Sequence, residues 1–110
     1  DLIVCLAHVS LRAAEQLARA VPQVDVFVTG HTHVATREPR VVGNSLLVQS
    51  GAFGRYVGEL ALDVEADGIR VADHRLVETK EEAAADLGRG LAKLCGIALA
   101  TIAFAITLFL

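Results

Sequence analysis

The 110-residue chain predicts an α/β fold: a βαβ unit, then antiparallel hairpins, then an apolar C-terminal helix. Three observations carry that prediction. Apolar runs at 2–7 and 24–29 flank a segment with helical spacing. The middle of the chain changes to strand-like residues punctuated by Gly43-Asn44 and Asp67-Gly68, both turn signals. From residue 94 to residue 110 there is no charged side chain.

The first run, 2–7, is continuous enough to read as a strand buried on both faces, and it ends at His8. Ser10 stands where a helix N-cap belongs, with its hydroxyl available to a free backbone N–H. Ala14, Leu17, Ala18 and Val21 then recur at helical spacing until Pro22 stops the helix. The run 24–29 is a second buried-type strand, followed by Gly30-His31-Thr32-His33.

Strand, helix, strand reads as one βαβ unit, whose two strands are parallel and finish at the same edge. His8 closes the first strand and His31 follows the second, so both imidazoles reach the carboxyl edge, where open α/β sheets hold ligands. His31 and His33 occupy alternate positions, which on an extended chain point the same way. Imidazoles aimed at one point are the pattern of a metal site. Gly30 fits a close backbone approach or a positive φ, and Thr32 fits a spacer.

Beyond this unit, 39–42 is extended, Gly43 and Asn44 turn the chain, and 45–49 is apolar again. Residues 50–54 form a glycine-rich loop, with Arg55 beyond it read as a surface arginine. The stretches 57–64 and 69–77 make a hairpin about Asp67-Gly68, with His74 exposed on its outer side. Thr79 opens a helical segment whose early acids suit a helix N-terminus. Adding Leu91 and Ala92 to the uncharged run, with Lys93 near enough to the end to snorkel, gives about 20 positions, the length that crosses a bilayer at roughly 1.5 Å per residue.

Composition bounds the function. A net charge of −3 and 5% aromatic residues argue against nucleic-acid binding, which needs a basic face or a stacking platform. Cys5 and Cys95 lie in separate apolar runs, so no disulfide framework is expected. The chain contains no methionine, and we expect it to be a piece of a longer polypeptide.

Three stretches resemble a known family. "DLIVCLAHVS" is similar to a strand ending in a metal-binding histidine. "VDVFVTGHTHV" is similar to a Gly-His-x-His motif. "VVGNSLLVQSGAFGRYVGELALDVEADG" is similar to closing hairpins with a Gln-x-Gly-x-aromatic-Gly-x-Tyr string. The order and spacing resemble the C-terminal half of a calcineurin-like metallophosphoesterase domain, in its 5'-nucleotidase branch.

The resemblance implies the C-terminal half of a metallophosphoesterase-type α/β sandwich over residues 1–78; the residues beyond it read as a helical linker at 79–90 and a transmembrane helix at 91–110. It implies that His8 and His31 ligate one divalent ion and His33 a second. Zn, Mn and Fe all suit neutral imidazole. The implied activity is hydrolysis of a phosphate ester, a nucleoside 5'-phosphate in particular, through a metal-bridging hydroxide. The family's Asp-x-His, Gly-Asp-x-x-Asp and Gly-Asn-His motifs are absent from residues 1–110. Catalytic residues are therefore expected upstream of Asp1, and the 110 residues alone are expected to be inactive and to bind metal weakly. The alternative is a non-catalytic, membrane-attached remnant of the same fold. An amidohydrolase also places His-x-His after a strand, but 110 residues cannot build its barrel. Arg89 and Lys93 would favour a cytoplasmic side by the positive-inside rule, whereas the resemblance favours an extracytoplasmic catalytic domain anchored to the membrane.

Overall fold

Ser10 caps the helix as its position requires: its Oγ accepts from the Ala13 N–H at 3.2 Å. In the computed structural model, which describes residues 1–79 and 104–109, this helix, α1, spans Leu11–Ala20. It links strands β1 (Val4–Ala7) and β2 (Val26–Thr29). These pair in parallel, Val4 opposite Val26 and Ala7 opposite Thr29, completing the predicted βαβ unit. The turn at Gly43 and Asn44 joins β3 (Arg40–Val42) to β4 (Ser45–Val48) as an antiparallel hairpin. β4 also pairs in parallel with β2, so one sheet runs β1-β2-β4-β3 and the hairpin belongs to the same layer as the βαβ unit.

The second sheet comprises β5 (Tyr56–Glu65), β6 (Gly68–Glu78) and β7 (Phe104–Phe109), in the order β6-β5-β7. β5 and β6 form the long antiparallel hairpin, turning through Ala66 and Asp67, and the register skips Ala72 as a bulge. Arg75 sits opposite Glu59 in that register and pairs with it.

Alternation along the strands decides which layer each side chain joins. Val26 and Val28 on β2, and Leu46 and Val48 on β4, pack with Leu60 and Leu62 of β5, so this face of the first sheet meets the second sheet. Phe27, Leu47 and Val42 take the opposite face and pack with Ala14 and Ala18 of α1. The result is helix, sheet, sheet. Leu47 and Leu62 are 0% exposed, and burying each contributes about 1.5–3 kcal/mol. β2 is buried along its whole length because both of its faces are covered.

Three expectations are corrected. The run 2–7 forms no doubly buried strand: β1 lies at the sheet edge, leaving Val4 38% and Leu6 70% exposed. Its apolar content matches β2, but no described element covers its outer side. Leu17 and Val21 of the expected helix face are also exposed, because the contact with the sheet is made by the alanines. Finally, the apolar helix expected at 91–110 does not extend over 104–109, which pairs as a strand in parallel with β5, Gly58 opposite Phe104. The rest of that expected span, and the helical segment from residue 80, fall outside the described residues. Among the described residues no helix is long and apolar enough to cross a membrane.

Candidate metal centre

The β1–β2 register delivers two histidines to one point. Ala7 is opposite Thr29, and the Gly30 N–H donates to the Ala7 carbonyl at 3.2 Å, which ties the two strand ends together. His8 and His31, separated by 23 positions in the chain, follow immediately. His31 Nδ1 lies 3.3 Å from His8 Nε2, with the rings edge to face at 72° and centroids 5.2 Å apart. Both side chains are at the surface, open to an incoming ligand.

That separation fits two nitrogens sharing an ion. Two imidazoles on one tetrahedral Zn2+, each at about 2.0–2.1 Å, hold their nitrogens about 3.3 Å apart. As a direct N–H···N hydrogen bond, 3.3 Å is long. The two nitrogens suit a divalent ion of the zinc type, which His8 Nε2 and His31 Nδ1 would hold between them.

His33 follows a different route. The segment after β2 leaves the extended conformation, with His31 at φ 136 and His33 at φ 60. The expectation that alternate positions aim both rings at one point rests on an extended chain, and here the chain curls. The His33 ring meets Phe53 edge to face, centroids 5.2 Å apart. No group of three or more His, Cys, Asp or Glu side chains converges among the described residues, so His8 and His31 meet without His33.

Backbone strain gathers at the same place. Among the described residues the non-glycine positions with positive φ are His31, His33 and Phe53, at φ 136, 60 and 58. Each such position costs about 1–3 kcal/mol, and such strain persists where the surroundings over-determine it, typically at functional sites. The surroundings here are two segments laid side by side. Ala35 bridges to Ser50, the Thr36 N–H donates to the Gln49 carbonyl at 2.8 Å, and the Gly51 N–H donates to the Val34 carbonyl at 2.9 Å. Gly51 takes φ 82 and Gly54 φ 65, which lets the loop fold back and present Phe53 to His33.

Gln49 opens the Gln-x-Gly-x-aromatic-Gly-x-Tyr string, and the structure shows what its side chain does. It is completely buried at the end of β4, and Thr36 is bonded to both its backbone N–H and its carbonyl. Its side-chain Oε1 accepts from the Thr32 hydroxyl at 3.2 Å and lies 3.4 Å from the Thr29 hydroxyl. Its Nε2 is buried with no hydrogen-bond partner among the described residues, which costs about 1–3 kcal/mol. The available signal was a polar residue closing an otherwise apolar buried strand. Thr32 is thus an anchored residue rather than a mere spacer. Arg55 is exposed, as expected. His74 is half-buried, not exposed, and its Nδ1–H donates to the Arg37 carbonyl at 3.1 Å.

No protein-family model matches the chain. The chain is similar to the uncharacterized metallophosphoesterase YunD of Bacillus subtilis (strain 168), with 35% identity over 66 residues. It is also similar to the trifunctional nucleotide phosphoesterase YfkN of the same organism, with 26% identity over 74 residues. The matched stretches cover 60% and 64% of this chain but only 14% of YunD and 5% of YfkN. The chain therefore spans a small part of the length of the relatives it matches, and both of those relatives are phosphoesterases by name.

Proposed function

We propose that this chain carries the C-terminal half of the catalytic domain of a dimetal phosphoester hydrolase, in which His8 and His31 share one divalent ion and His33 serves a second. The observation that carries the proposal is the 3.3 Å approach of His31 Nδ1 to His8 Nε2 at the carboxyl edge of parallel strands. The strained backbone at His31, His33 and Phe53 and the similarity to YunD and YfkN support it. The substrate is a phosphate ester, and a nucleoside 5'-phosphate is the favoured class, since one relative is named for nucleotide phosphoester cleavage.

Divalent ions bound here supply Lewis acidity toward a phosphoryl group and a water nucleophile at neutral pH. The protein's own part is positioning. His8 and His31 act as neutral donors whose separation is set by the β1–β2 register and the Gly30–Ala7 hydrogen bond. Phe53, 62% exposed beside His33, gives the site an apolar wall. Two converging imidazoles are fewer than the three or four protein ligands of a zinc site, so His8 and His31 by themselves would hold an ion weakly. Calorimetric titration of Zn2+ into the chain and into His8→Ala and His31→Ala tests the proposal. Weak binding by the parent and its loss in both variants is expected; binding unchanged by either substitution overturns it.

A further inference from the structure

We propose that Gln49 is a positioning residue for this site: its buried amide oxygen takes the Thr32 hydroxyl and so sets the backbone of His31-Thr32-His33. Three observations carry this. First, Thr32 lies between the two histidines with positive φ, so a contact that restrains Thr32 acts on the backbone on either side of it. Second, its side chain has a polar anchor, Gln49 Oε1 at 3.2 Å, although the residue itself is exposed. An exposed threonine hydroxyl loses little by turning to water, so an inward bond to a buried acceptor is an organised contact. Third, Gln49 cannot move to follow the loop. Its side chain is 0% exposed, its N–H donates to the Thr36 hydroxyl at 2.8 Å, and its carbonyl accepts from the Thr36 N–H at 2.8 Å.

The neighbouring threonine sharpens the assignment. A hydroxyl has one proton to give. The Thr29 hydroxyl lies 3.3 Å from the Val48 carbonyl and 3.4 Å from Gln49 Oε1, so its single proton is divided between two long contacts. The Thr32 hydroxyl donates to the same Oε1 at 3.2 Å. The amide thus spans the end of β2 and the loop that follows it, and holds the loop in a conformation that histidine does not favour by itself. Thr32 is the chain neighbour of both His31 and His33, so its anchor acts on their rings through the backbone and touches neither ring.

The part concerning metal affinity rests on His8 and His31 being ligands; the part concerning the backbone does not. The test therefore has two readouts on the full chain. At φ 60 the amide proton and Hα of His33 are at their closest approach, so a strong intraresidue NOE marks the held conformation. Gln49→Leu and the exposed-site variant Thr32→Val are each expected to weaken that NOE, and the double variant to do no more than either alone. Thr32→Ser is expected to restore it. Leu47→Ala, which lowers stability from the core, is expected to leave it strong. In a Zn2+ titration, Gln49→Leu and Thr32→Val are each expected to bind more weakly than the parent. A strong His33 NOE that persists in Thr32→Val, or one lost equally in Leu47→Ala, overturns the proposal. Loss of the NOE in a chain whose parent ignores Zn2+ upholds Gln49 as the loop anchor and overturns the metal reading instead.

Discussion

Replacing His31 by glycine is expected to give a more stable chain than replacing it by alanine. Both substitutions remove the imidazole and its contact with His8, so that loss cancels between them. What differs is the backbone. At φ 136 an L side chain is in a region costing about 1–3 kcal/mol, and alanine retains that strain while glycine has none. Glycine gives back about 0.4–1 kcal/mol through the greater freedom of its unfolded chain. The net advantage of glycine is therefore about 1 kcal/mol or somewhat more. For a domain of this size that is a rise in Tm of about 4–8 °C relative to the alanine variant. The assay is thermal unfolding of both variants in the presence of a chelator, followed by far-UV circular dichroism. An alanine variant as stable as the glycine variant would refute the reasoning, because it would mean that the backbone at position 31 carries no strain.

Other consequences can be measured the same way. Ser10→Ala removes the acceptor for the Ala13 N–H and is expected to lower stability by about 1 kcal/mol in urea unfolding. Leu47→Ala opens a cavity between α1 and the first sheet at a fully buried position, with an expected loss of about 2–5 kcal/mol. Arg40→Ala breaks the ion pair with Glu15 that links β3 to α1, and at 53% and 24% side-chain exposure it is expected to cost no more than about 1 kcal/mol and less in high salt.

Much of the first layer was legible because its signals are local. Ser10, Pro22 and the alanine spacing mark α1, and Gly43 with Asn44 marks the β3–β4 turn. The meeting of His8 and His31 followed from chain order alone, since parallel strands joined by a crossover must finish together. What escaped depends on neighbours. Leu6 and Val28 look alike in sequence, yet one is 70% and the other 1% exposed, and only the order of strands distinguishes edge from centre. The aim of His33 was misjudged because φ is set by bonds from Gln49, Thr36 and Gly51, contacts that no periodicity encodes. The stretch 104–109 was read as helix on length and apolarity. Its phenylalanines, isoleucine and threonine suit a strand equally well, and pairing with β5 decides the matter.

The central claim is that His8 and His31 hold one cation between them, and nitrogen-15 spectra of the imidazole rings during a Zn2+ titration test it most directly. The account predicts that His8 Nε2 and His31 Nδ1 shift together, saturating at the same Zn2+ concentration, while His74 stays where it was. Movement of one of the two rings without the other would contradict it.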